Sequence, residues 1–213
     1  KIARKTTRIF IYNIQEEVVK QQRHALLART IRDFKNLFPL ARGMRRKLTL
    51  HIGPTNSGKT YQAMQKLQDA DTGYYLAPLR LLALEGYEGL KEQGIDASLI
   101  TGEEQILDDD ATHISSTIEM LNFDVDVDVC VIDEVQMIDD RDRGWAWANA
   151  IIGAPAKEII MTGSSNAKEA IVALAEYLGE ELEIIEFKRK NPLKLLEVFT
   201  EEKDVEAGTA IIA

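Results

Sequence analysis

The chain has 213 residues, 45% of them hydrophobic and 29% charged, which are the proportions of an ordinary globular protein. No apolar run approaches the roughly eighteen residues that a membrane-crossing helix requires, which argues against a helical membrane protein. The single cysteine, Cys130, excludes a disulfide within the chain and, inside "VDVCVIDE", reads as a small buried hydrophobe. The net charge of −9 conceals an asymmetry: residues 1–46 carry 12 Lys/Arg against 3 Asp/Glu, and the remainder carries 14 against 32. A basic arm on an acidic body suits a solvated face or contact with nucleic acid.

In chain order, Leu26, Leu27, Ile31, Phe34 and Phe38 recur at the spacing of one helix face, so residues 1–46 are expected to be a small helical segment broken at Pro39. From Leu48 onward, short apolar runs alternate with helical stretches. "LTLHI" precedes a helix over about Gly58–Leu67, and "GYYLAP" precedes "LRLLALEGYEGLKEQ". "ASLIT" and "THISS" follow, the latter with a short helix in "STIEML". "VDVCVID" precedes a helix around Trp145–Ile152, "KEIIMTG" precedes "NAKEAIVALAEYLG", and "LEIIEF" closes the series. Such alternation predicts crossover units and an α/β fold with a parallel sheet flanked by helices. Ligands in such sheets sit beyond the carboxyl ends of the strands, where every polar cluster below falls. The start at Lys1 rather than Met, and the close on "GTAIIA" (an apolar run like a strand cut short), suggest a piece of a longer protein.

The run Gly53, Pro54, Thr55, Asn56, Ser57, Gly58, Lys59, Thr60 has P-loop spacing between a predicted strand and a predicted helix. Gly53 and Gly58 permit turns that aim successive N–H groups into one concavity, and the helix start adds the positive end of its dipole. Lys59 is expected to reach the outer phosphates of ATP or another NTP, and the Thr60 hydroxyl to ligate Mg2+. Asp133 and Glu134 end an apolar strand. Alone they would suit a helix cap, but beside a P-loop Asp133 is the candidate metal-holding acid and Glu134 the group that orients the attacking water.

"GPTNSGKT", "APLRLLALE", "TGEE", "SSTIEM", "DEVQM", "RGWAWANAIIG" and "MTGSS" occur in that order. Together they resemble the first RecA-like domain of a superfamily 2 RNA helicase, of the kind in the mitochondrial RNA degradosome and its bacterial relatives. The resemblance runs from about Phe38 to Lys190. It implies a RecA-like P-loop NTPase domain over 47–190, with 191–213 a linker and truncated start of a second such domain. It also implies that Pro78, Leu79, Arg80, Thr101, Gly102, Ser116 and Thr117 touch a nucleic-acid backbone. Gln136 joins Lys59 and Glu134 as a catalytic candidate, and Thr162, Gly163 and Ser164 would couple nucleotide state to strand grip. The implied partners are single-stranded RNA and an exoribonuclease, with no membrane, in a mitochondrial matrix or bacterial cytoplasm. The arginines of the second domain are absent, so weak nucleotide binding and poor hydrolysis are expected of this chain.

Two other functions compete. A thymidine-kinase-like P-loop kinase shares a similar loop and an Asp-Glu-x-Gln strand end, but one cysteine cannot supply the four-Cys zinc site typical of it. A scaffold that binds nucleotide without hydrolysing it would have no need of Glu134. His24, His51 and His113 show no ligand spacing, and "DDD" at 108–110 reads as a solvated loop. Trp145 and Trp147, two apart on a helix, must face different ways, so at least one is expected in the core.

Overall fold

The computed structural model describes residues 34–189; the helical face through Leu26, Leu27 and Ile31 and the closing "GTAIIA" lie outside the described residues. After a 3-10 turn at Lys35–Leu37 come α1 (Pro39–Gly43), β1 (Lys47–Ile52), α2 (Lys59–Gln68), β2 (Gly73–Ala77) and α3 (Arg80–Glu92). β3 (Ala97–Ile100), β4 (Gln105–Ile106), β5 (His113–Thr117) and β6 (Val127–Ile132) follow. The series closes with α4 (Gly144–Gly153), β7 (Ala156–Gly163), α5 (Lys168–Leu178) and β8 (Leu182–Glu186).

The strands form one sheet in the order β4-β3-β5-β2-β6-β7-β1-β8. Every pairing is parallel except that of β4, which folds back antiparallel on β3. Helices cover both faces, which is why the inner strands read as near-continuous apolar runs. Period-two alternation divides β2, β6 and β7 between two cores. Leu48, Leu50, Leu76, Cys130, Ile132 and Met161 face α4 and α5, while Tyr75, Val129, Val131 and Ile160 face α2 and α3. Trp147 is fully buried on the first face and Trp145 is 57% exposed, as their spacing required.

Some elements differ from their sequence reading. β4 has two exposed residues and carries too little pattern to be seen; it exists because the "TGEE" turn folds back, with Thr101 and Glu104 exchanging hydrogen bonds. "STIEML" makes only a 3-10 turn at Ile118–Met120. Pro39 ends one helical pattern and begins another: Phe38 before it is non-helical, and Pro39 itself is the first residue of α1. Segment 34–46 packs on the sheet domain. The Phe38 ring lies against Phe123 at 4.8 Å between centroids and occupies the space a Cβ at Gly153 would need. Arg46 donates to the carbonyls of Ile151 and Ala154 at the end of α4 and forms a two-pronged pair with Glu180 (2.8 and 2.7 Å).

Candidate nucleotide site and nucleic-acid face

The loop from Gly53 to Thr60 leaves β1 and enters α2. It turns through two left-handed residues, Asn56 (φ 57°) and Gly58 (φ 89°), the second a conformation glycine adopts without strain. Gly58 caps α2 with no side-chain hydrogen bond, and the first helical bond runs from Gln62 N–H to the Gly58 carbonyl at 3.0 Å. The preceding N–H groups therefore have no partner inside the helix, the arrangement that suits an anion. Gly53 N–H is tied to the Gly163 carbonyl at 3.2 Å, which anchors the loop to the tip of β7. Pro54 and Thr55 are exposed; the Pro54 carbonyl accepts from Lys59 Nζ at 3.4 Å, and Thr55 accepts from Arg189 at 2.7 Å. Lys59 is buried, and the Ser57 hydroxyl is buried without a protein partner.

Asp133 follows β6, two strands from β1, with β7 between them. Its Oδ1 accepts from the hydroxyls of Thr60 (3.4 Å) and Thr162 and from Glu134 N–H (3.0 Å). Its Oδ2 accepts from the Tyr75 phenol at 3.1 Å, and its carbonyl from the Trp147 indole N–H at 2.9 Å. Burial, reinforced by the Asp133 carboxylate, pushes the Tyr75 phenol well above its ordinary value, so it is a protonated donor. A cavity of about 590 Å³ opens beside this group, with Thr60, Tyr75, Asp133 and Glu134 in its wall. Glu134 holds a left-handed backbone (φ 51°), uncommon for a non-glycine residue. Gln136 bridges two segments: its amide nitrogen donates to Glu134 Oε2 and its oxygen accepts from Ser164 N–H at 3.1 Å.

The other sequence candidates lie along the same edge of the sheet. β3, β5 and β2 are neighbours, with Ser116 level with Ile100 and Leu76, and Thr117 level with Ala77. Pro78, Leu79 and Arg80 therefore emerge beside Thr101–Gly102 and Ser116–Thr117. Arg80 is half exposed and paired with the exposed Glu103 at 3.1 Å, the Ser116 hydroxyl is buried without a partner, and the Thr101 hydroxyl is engaged within its own turn. Arg143 holds the Pro78 carbonyl at 2.7 Å and Glu119 at 2.8 Å, joining α4 to this edge. Tyr75 and Arg189 escaped the sequence reading, since the partner of each is remote in the chain; the sequence offers Trp147 only as a core candidate and Arg143 only within "RGWAWANAIIG", neither with the partners found here.

The residues would suit a magnesium nucleotide: the start of α2 is uncapped, the Ser57 hydroxyl is buried without a partner, and the oxygens of Thr60 and Asp133 are of the kind a small hard cation takes. A P-loop, a strand-end acid two strands away and an aligned row of polar strand ends together define a RecA-like P-loop NTPase domain. More particularly, the chain belongs to the family described as the DEXQ-box helicase domain of Suv3, whose model matches residues 35–187. Its box is Asp133-Glu134-Val135-Gln136. The chain is 44% identical over 176 residues to the mitochondrial ATP-dependent RNA helicase SUV3 of Saccharomyces cerevisiae, covering 80% of this chain and 23% of that protein. It is 42% identical over 173 residues to Homo sapiens SUPV3L1, likewise named a mitochondrial ATP-dependent RNA helicase, covering 79% of this chain and 22% of that protein. The chain thus spans about a quarter of the length of these relatives. Membership of this family sets aside the thymidine-kinase-like reading.

Proposed function

We propose that this chain is the nucleotide-binding half of an ATP-dependent RNA helicase motor that grips single-stranded RNA along the β3-β5-β2 edge. One observation carries the reading: the Thr60 hydroxyl and the Asp133 carboxylate, 73 residues apart in sequence, meet at 3.4 Å beneath the P-loop. Main-chain N–H groups of the loop and Lys59 would bind the phosphates, and Thr60 and Asp133 would hold Mg2+. The metal, when bound, supplies charge neutralisation on the phosphate oxygens. Glu134 would orient water and accept its proton at a carboxylate oxygen, steered by Gln136. Because Gln136 also accepts from Ser164 N–H, and Thr162 donates to Asp133, a shift at the nucleotide passes directly to the tip of β7. Strand-end N–H groups and Arg80 would contact phosphates and carry no base information, so binding should tolerate any sequence.

The names of the relatives support ATP, RNA and a mitochondrial location over the bacterial cytoplasm. The exoribonuclease partner and the division at 46/47 and 190/191 belong to the same proposal. Among the described residues no helix is long and apolar enough to cross a membrane. In the complete protein, single-stranded RNA should stimulate ATP turnover more than DNA does, and Glu134→Gln should preserve nucleotide binding while abolishing turnover. Unchanged turnover in that variant would remove Glu134 from the mechanism.

A further inference from the structure

We infer that Tyr75 is a positioning residue for the metal-holding acid: its phenol fixes Oδ2 of Asp133 so that Oδ1 is presented toward Thr60 and the P-loop. The inference rests on the reading of Asp133 as the Mg2+-holding group.

Asp133 has donors on both sides. Thr60, Thr162 and Glu134 N–H share Oδ1, whereas among the described residues Tyr75 is the donor to Oδ2. The terminal carboxylate torsion of an aspartate is broad, so an acid held from one side alone can swing. The Tyr75 ring is itself fixed. It rises from the centre of β2 and is 4% exposed, and α3 lies so close that a Cβ on Gly86 would fall 2.4 Å from its Cδ1. A glycine in the middle of a helix is unfavourable relative to alanine, and here it admits the ring. The resulting chain runs from Gly86 through Tyr75 to Asp133. Losing the phenol has two opposed effects. A carboxylate with fewer donors is more basic, which favours a cation, but Oδ2 is then buried without a donor and the acid turns to find one. Where outer partners of metal ligands have been removed, the second effect dominates, at roughly 10–100-fold in affinity.

The test is Mg2+ titration of ATP binding by the chain, read by a fluorescent ATP analogue, with binding in EDTA measured in parallel. Tyr75→Phe should raise the half-saturating Mg2+ concentration about tenfold and leave metal-free binding unchanged. Gly86→Ala, which displaces the ring while keeping the hydroxyl, should move it the same way and serves if Tyr75→Phe does not fold. A midpoint moved less than about twofold in both variants, while Asp133→Asn moves it strongly, overturns the role of Tyr75 and leaves the reading of Asp133 standing. If Asp133→Asn leaves the Mg2+ dependence unchanged, the reading of Asp133 falls and Tyr75 with it. Equal losses with and without metal would make Tyr75 merely structural and would also overturn the inference.

Discussion

Replacing Arg46 with methionine should cost about 3 kcal/mol of stability, a large share of the roughly 5–15 kcal/mol that holds a domain of this size. The Arg46 side chain has no solvent exposure, and Glu180 has 11%. Four hydrogen bonds would be lost: two to the Glu180 carboxylate and two to carbonyls at the end of α4, where a cation also complements the helix dipole. Removing one member of a buried pair costs about 3–5 kcal/mol, because the other charge is left uncompensated. The lower figure applies here, since Glu180 keeps Arg42 at 3.1 Å. Methionine preserves most of the volume, so the loss reports the polar contacts rather than a cavity. Denaturant unfolding of wild type, Arg46→Met, Glu180→Gln and the double variant gives the coupling, expected at about 2 kcal/mol. The loss should persist in high salt, because a pair withdrawn from water is screened little. A loss below about 1 kcal/mol, the size of a surface pair, or one erased by salt, would refute the reasoning. The consequence reaches the site, since α4 carries Trp147, whose indole holds the Asp133 carbonyl.

Gly163→Ala would place a Cβ 2.7 Å from Gln136 Oε1, the end of a flexible side chain that can swing aside, so the cost should be only about 1 kcal/mol, that of the lost bond to Ser164 N–H; a loss above about 3 kcal/mol in denaturant unfolding would contradict this. His51 and His113 are buried and held below their ordinary value of 6.5, chiefly by desolvation, so below about pH 6.5 the unfolded chain binds more protons than the native one. Stability is therefore full above that pH and falls on acidification, by up to about 1.4 kcal/mol per pH unit for each histidine. Equal unfolding midpoints at about pH 7.5 and about pH 5.5 would contradict this. Burial pushes the Cys130 thiol up to about 12, so a thiol reagent near pH 8 should label the chain only in denaturant; rapid labelling of the native form would show that β6 is not buried as described.

Whatever is local could be read from the residues alone. The alternation of apolar runs with helical stretches identified the α/β class, because burial on both faces demands that pattern of any parallel strand. The P-loop was legible because its glycines, lysine and threonine act within eight consecutive residues, and Asp133 because an acid ending an apolar strand is itself a local signal. How these parts meet depends on the assembled sheet. The strand order sets β7 between β1 and β6, so that Thr162 stands between the loop and the acid, and no property of either segment states that order. Tyr75 is one of two adjacent tyrosines in "GYYLA"; a one-residue difference in pleat sends its neighbour Tyr74 to the opposite core and leaves Tyr75 beneath α3, where Gly86 makes room. Arg46, from sequence a member of a basic arm, is a buried staple because Glu180, 134 residues away, arrives beside it. Side chains whose roles depend on a distant partner acquire those roles only when the sheet assembles, whereas backbone turns and apolar periodicity are written residue by residue.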